Sequence, residues 1–210
     1  MINLYNKDCM EAMKDMVDDQ YDLAIVDPPY GINRGGQTET FTKQKKHKRK
    51  YFEKKKWDTK IPSKLYFQNI FRVSKNQIIW GANYFTMYLK GSMGWVFWDK
   101  GQDLTMSDGE LAFTSFNRAL RRIKINRMQL VKEGGTIHPT QKPVKLYEWL
   151  LMNYAKEGDR ILDTHLGSGS IAIACHNLGY DLDAYEIDKV YYEATMKRFK
   201  NHTSQKQIWT

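Results

Sequence analysis

Apolar residues along this chain fall into short runs, and the runs alternate between strand-like and helix-like spacing. INLYN at 2–6 is short and β-like. CMEAMKDMV at 9–17 sets Met10, Met13 and Val17 at helical spacing, which predicts one amphipathic face. YDLAIVD at 21–27 is a compact apolar run ending on an acid, as expected of a strand buried on both faces. KLYFQNIFRVS at 64–74 reads as amphipathic helix. NQIIWGA at 76–82, GWVFWDK at 94–100 and ELAFTSF at 110–116 read as strands. VKLYEWLLMNYA at 144–155 is a strong helix, DRILDTH at 159–165 a strand, and SIAIACHNLG at 170–179 a helix closed by Gly179. YDLDAYEID at 180–188 is a strand and KVYYEATMKRFK at 189–200 a helix. Residues 31–60 read as a long loop, Arg118 to Gly135 as basic and irregular, and the polar tail from His202 as frayed.

Strands alternate with helices almost throughout. The pattern predicts a single α/β domain over residues 1–210, with a mostly parallel, Rossmann-like sheet and helices on both faces. Ligands in such sheets bind outside the carboxyl ends of the strands, so chemistry is expected there. No apolar run approaches the roughly 18 residues of a membrane span. The opening MINLYNKDC is not a secretory signal, and Cys9 and Cys175 are too few for a disulfide framework or a cysteine-based zinc site. A reducing cytoplasm is the expected location, and no metal is expected.

Charge then changes the picture. The chain carries 33 Lys and Arg against 24 Asp and Glu, a formal +9. Residues 43–56, KQKKHKRKYFEKKK, supply +8 of it, with Lys45, Lys46, Lys48 and Arg49 at the centre. A second cluster at 117–127 holds Arg118, Arg121 and Arg122 with no acid. Like charges in a block repel one another, so the 31–60 loop is expected to be mobile until a polyanion arrives. Tyr51, Phe52 and Trp57 lie beside the first cluster. Cations neutralise phosphate and aromatic rings stack on bases, so both clusters point to nucleic acid, DNA or RNA, and fit an enzyme or a non-enzymatic binding module alike.

Three predicted strand ends carry chemistry. At 163–172, DTHLGSGSIA places Gly167, Ser168 and Gly169 in a tight turn between strand and helix, with Asp163 at the strand end. Glu186 ends the next strand, where a carboxylate accepts from ribose hydroxyls. Gly167, Gly169 and Ala172 also satisfy the dinucleotide fingerprint, so this motif alone separates neither a nicotinamide cofactor from S-adenosylmethionine nor an oxidoreductase from a transferase. At 27–30, Asp27-Pro28-Pro29-Tyr30 follows a buried strand. Two prolines stiffen the backbone and remove two N–H donors while leaving their carbonyls. One carboxylate, one rigid carbonyl and one aromatic ring suit an exocyclic amine on a stackable base. At 138–143, His138-Pro139-Thr140-Gln141-Lys142-Pro143 opens a helix and offers a hydroxyl and an ammonium to a carboxylate.

Together, DPPY, HPTQKP and DTHLGSG in this order resemble the β-class amino-methyltransferases of DNA, which modify adenine N6 or cytosine N4. Asp8-Cys9, IIWGANYF, GWVFWDK and ELAFTSF are weaker echoes, and the resemblance spans nearly the whole chain. It implies a seven-stranded sheet, S-adenosylmethionine as methyl donor, and double-stranded DNA as substrate with the target base flipped. By position, Asp27 and the Pro28 carbonyl would accept from the target amine, with Pro29 beside them, and Tyr30 would stack on the base. Glu186 would hold the cofactor ribose, Asp8 and the backbone at Cys9 would lie near its adenine, and Ile187 would be a further cofactor contact. Asp163, His165, Gly167, Ser168 and Gly169 would wrap its methionyl part, with Thr140 and Lys142 near its carboxylate and His138 and Asp27 also among the cofactor contacts. Asp rather than Ser before Pro-Pro-Tyr leans toward adenine by family habit. Where the family usually has Asp-Pro-Phe, this chain has Asp163-Thr164-His165. The segment at 117–137 is short for a target-recognition region, so the basic insert at 31–60 or a second subunit of a homodimer would share that role. A cognate restriction endonuclease, as in restriction–modification pairs, is a further partner the family allows.

Overall fold

The computed structural model describes residues 1–36, 52–101 and 107–206. In chain order these form β1 (Ile2–Tyr5), α1 (Cys9–Lys14), β2 (Tyr21–Val26), α2 (Lys64–Val73), β3 (Ser74–Trp80), β4 (Trp95–Asp99), β5 (Gly109–Thr114) and β6 (Arg121–Lys124), followed by α3 (Met128–Lys132), α4 (Val144–Tyr154), β7 (Arg160–Asp163), α5 (Ser170–Leu178), β8 (Asp181–Tyr185) and α6 (Lys189–Lys206). The strands make one sheet in the order β1-β8-β7-β2-β3-β5-β4-β6. Only β5 runs antiparallel to its neighbours, β3 and β4.

Alternation along the central strands divides the core. Leu23 and Ile25 of β2 and Ile78 and Trp80 of β3 face α4 and α5, where Leu146, Leu150, Ile171 and Ala174 meet them. Ala24, Val26 and Ile79 point the other way, against Met13 of α1 and Tyr66, Phe67 and Ile70 of α2. Strands covered on both faces have no polar period, which is why YDLAIV reads as one apolar run. Among the described residues no helix is long and apolar enough to cross a membrane.

The structure departs from the sequence reading in four places. The sheet has eight strands rather than seven. The eighth, β6, lies in the stretch read as irregular: it is an edge strand with only Ile123 turned inward, so it shows no detectable alternation. The same stretch also holds α3. Helix α1 stops at Lys14, so Met16 is buried while Val17 lies exposed outside the helix. Finally, α6 continues past His202 to Lys206.

The parallel strands end on one edge of the sheet, which gathers Asp27, Gly81, Asp163 and Glu186. Because β5 runs backward, its beginning, Gly109 and Glu110, reaches that same edge. Gly169 at that edge is sterically required. Gly169 precedes α5 at φ 69°, and a Cβ on it would lie 2.4 Å from Cγ2 of Thr195 on α6. Gly169→Ala is expected to cost about 1–3 kcal/mol through strain and displacement of α6, read as a lowered urea midpoint at unchanged slope.

Candidate active site

The Asp27–Tyr30 segment leaves β2 and is fixed by a residue the sequence reading did not single out. Asp58, 2% exposed, lies on the return limb of the basic insert. Its Oδ1 accepts from the backbone N–H groups of Tyr30 at 2.7 Å and Gly31 at 2.9 Å, and its Oδ2 accepts from that of Arg34 at 2.7 Å. Three convergent donors on one carboxylate make a rigid turn. The Tyr30 ring stacks on Tyr84, centroids 5.2 Å apart, and rests on Gly81, whose φ of 67° and absent side chain let the ring approach. A Cβ at Gly81 would lie 2.1 Å from Tyr30 Cε1.

Around Asp27 lies a buried cluster of charges. Lys142 Nζ donates to Asp27 Oδ2 at 2.5 Å, Glu110 Oε2 at 3.0 Å and the Tyr30 hydroxyl at 3.2 Å. Tyr30 donates to Asp27 Oδ1 at 2.6 Å. The other Glu110 oxygen receives Lys100 Nζ at 2.8 Å. Lys142 is only 3% exposed. An ammonium has three donors, and all three are engaged. Lys142 is thus bound to Asp27, Glu110 and Tyr30 in this structure. Burial opposes every charge here, yet the two carboxylates raise Lys142 above its ordinary range. Burial would also raise Glu110, but Lys142 and Lys100 outweigh it and hold it at about 2. Asp27 is shifted up, by burial first and by Glu110, with Lys142 opposing.

Two cavities flank this segment. The larger, about 280 Å³, is bounded by Asp27, Pro28, Tyr30, Glu110, Lys142 and Thr140, with Arg34, Trp57, Tyr84, Lys100 and Arg127 also on its wall. The second, about 240 Å³, is lined by Asp8, Cys9, Tyr66, His165, Glu186 and Ile187. Pro29 lines both. The structure thus gathers five of the residues predicted for the cofactor in one cavity and places Thr140 and Lys142 across Pro29 in the other. Asp163, Gly167, Ser168, Gly169 and His138 line neither. Asp163 is buried beneath the site, where burial raises it to about 8, and its Oδ1 accepts from the His165 N–H at 2.9 Å. Ser168 and Gly169 are held by α6, through Arg198 on the Ser168 carbonyl and Thr195 against Gly169. Gly167 donates its N–H to Glu186 Oε2 at 2.8 Å, and Asp188 donates to Oε1 at 2.8 Å.

The basic residues divide. Lys45, Lys46, Lys48, Arg49 and Tyr51 lie outside the described residues. Arg118 donates to the Asn153 carbonyl and packs over Phe116 and Tyr154, and Arg122 pairs with Asp99. Arg121 is exposed on the edge strand. Arg34 and Arg127 share the wall of the larger cavity with Lys100 and Lys142, and sequence position alone did not distinguish the two arginines. The insert does not behave as one free loop: Lys55 donates its N–H to Gly35 and its ammonium to Asp188, and with Asp58 it pins the return limb to the sheet edge.

His165 packs edge-on against Tyr66 with Nδ1 2.9 Å from Thr164 Oγ1, and burial lowers it to about 4. His138 packs against Tyr191 and Trp57; burial, aided by Lys142, lowers it to about 3. Both imidazoles are neutral at physiological pH, so His165 serves as a neutral aromatic where the family usually has Phe. A depressed folded value means that the unfolded chain binds the proton first. Their contribution to stability is complete above about 6.5 and is lost as pH falls toward 4. His165→Phe is expected to reduce the loss of urea-midpoint stability between those values; an unchanged pH slope would contradict the burial of a neutral ring.

A family model described as DNA methylase, covering N6 and N4 methyltransferases, matches residues 37–197. The type II methyltransferase M.HpaI of Haemophilus parainfluenzae is 25% identical over 90% of this chain and 71% of its own length. Among solved structures, M1.HpyAVI in complex with SAM superposes with a TM-score of 0.61 at 18% identity, covering 95% of this chain and 100% of that one. The cytosine-N4-specific PvuII DNA methyltransferase gives 0.60 at 15% identity, covering 97% and 90%. These structural likenesses establish a shared α/β fold, and the family match, which covers most of the chain, establishes more: this chain belongs to the N6/N4 DNA methylase family.

Proposed function

We propose that the protein transfers a methyl group from S-adenosylmethionine to the exocyclic N6 amine of an adenine flipped out of double-stranded DNA. The observation that carries this reading is the position of Asp27-Pro28-Pro29-Tyr30 between two cavities that share Pro29. The residues of the smaller cavity suit the cofactor. Each Glu186 oxygen accepts one backbone N–H, and a carboxylate has about four acceptor sites, so lone pairs remain for ribose hydroxyls. Ile187, 67% exposed, offers an apolar face for the adenine. When bound, S-adenosylmethionine supplies an electrophilic methyl group on sulfur.

The protein's own part is position and electrostatics. An exocyclic amine delocalises its lone pair into the ring and is a poor nucleophile. Asp27 and the Pro28 carbonyl, as acceptors, favour a pyramidal nitrogen with its lone pair free. Asp27 also meets the positive charge that develops on that nitrogen, as a fixed group does best in a site closed to water. Holding nitrogen and methyl in line contributes roughly 7–11 kcal/mol. Unstacking the base costs a few kcal/mol, offset in part by stacking worth about 1–3 kcal/mol on an aromatic. Tyr30 and Tyr84 supply the rings; because they stack on each other, a base slides beside or between them rather than onto a bare face.

Cytosine N4 is the second reading, favoured by the likeness to a cytosine-N4-specific enzyme. Digestion of product DNA and mass spectrometry of its nucleosides separates them: N6-methyladenine is expected, and N4-methylcytosine alone would replace the proposal. Asp27→Ala is expected to lower tritiated-methyl incorporation by about 10²-fold or more while S-adenosylmethionine binding, measured by calorimetry, survives. Normal turnover would overturn the assignment. Replacing Lys45, Lys46, Lys48 and Arg49 by Ala is expected to weaken DNA binding and flatten its salt dependence, by about 0.9 log unit of slope for each phosphate that is no longer neutralised.

A further inference from the structure

Glu110 takes no part in the mechanism above, yet it is the second carboxylate on the ammonium that holds Asp27. It begins β5, the one reversed strand, which brings it to the active edge opposite β2. Its two oxygens are both committed, Oε2 to Lys142 at 3.0 Å and Oε1 to Lys100 at 2.8 Å. Lys142 bridges it to Asp27, and Tyr30 donates to Asp27 from the other side. Two acids and two bases alternate through the cluster, and its formal charge is zero.

We infer that Glu110 is a positioning residue for methyl transfer: by sharing the Lys142 ammonium, it keeps Asp27 from being fully neutralised and so keeps it basic enough to accept from the target amine. Without Glu110, Lys142 would pair with Asp27 alone. The acceptor would then be an ion pair turned inward, with less negative charge facing the amine. Lys100 sets the degree of sharing, because it draws Glu110 away from Lys142. This inference rests on the reading of Asp27 as the amine's acceptor and adds to it the groups that tune that acceptor. The other groups that feel the Asp27 charge are Asp163 on β7, Tyr66 on α2 and Tyr147 on α4. Burial raises Asp163 to about 8 and pushes both tyrosines well above their ordinary range, so all three are largely uncharged at working pH.

The sign of the effect gives the test. Glu110→Gln removes a negative charge and leaves Lys142 to Asp27, so Asp27 titrates lower. Lys100→Gln leaves Glu110 less compensated, so Asp27 titrates higher. Charges at this range move a carboxyl by about one unit or more. Titration of the Asp27 carboxyl carbon by ¹³C NMR in the free protein, assigned by its loss in Asp27→Ala, is expected to shift in opposite directions in the two variants. In steady-state transfer to unmethylated plasmid DNA, Glu110→Gln is expected to lower kcat roughly three- to tenfold, with the KM for S-adenosylmethionine unchanged. Shifts absent or of the same sign overturn the inference, as does an unchanged kcat with Asp27 shifted. If Glu110→Gln does not fold, Lys100→Gln decides by whether Asp27 rises. The titration needs no DNA. It therefore stands apart from the failure of the methylation reading, which would appear as Asp27→Ala retaining activity.

Discussion

The site depends on one buried ammonium. Lys142 sits between Asp27 and Glu110 with its three donors engaged and almost no exposure to solvent. Taking an ion out of water costs several kcal/mol, and the cost is met only where the geometry is good and the remaining donors and acceptors are matched. The cluster meets both conditions through four chain segments: the end of β2, the end of β4, the start of β5 and the loop before α4. Displacing any one of them leaves an uncompensated charge in the core. The packing of the sheet edge is thereby tied to the electrostatics of the Asp27–Tyr30 segment; Trp80 lies by the Lys142 ammonium, Trp98 by that of Lys100, and the two indoles pack edge-on.

The same arrangement explains the asymmetry between two acids a few ångströms apart. Glu110 has two cations and is held at about 2, whereas Asp27 has one cation, burial and a neighbouring acid against it and is pushed up. A fold that merely needed a neutral core would use apolar side chains. Two carboxylates of divergent basicity instead sit beside a cavity, next to a proline shared with a second cavity.

Most of the fold was legible in the sequence because buried strands and amphipathic helices leave strong periods: YDLAIV, VKLYEWLLMNY and SIAIACHNL lie where their patterns place them. β6 was not legible, since an edge strand with one inward residue has no period. Of the site, Asp27 to Tyr30 and the second-cavity residues Asp8, Cys9, His165, Glu186 and Ile187 could be found because they follow ends of parallel strands or stand in motifs. Glu110 could not be found by that rule. It stands at the beginning of its strand, and only the reversal of β5 brings it to the active edge. Lys142 was legible as a functional lysine but not as an internal ion pair, because nothing local indicates a partner 115 positions away. Lys100 and Asp58 are hidden for the same reason.

Asp58 also explains how a long basic insert coexists with a precise site. The insert leaves just after Tyr30 and returns just before α2, and Asp58 on its return limb receives the N–H groups of Tyr30, Gly31 and Arg34. Lys55 adds a second closure through Gly35 and Asp188. The geometry of the Asp27–Arg34 turn is thus set at the base of the insert. The clamp residues, rather than the lysine run itself, couple that segment to Asp27.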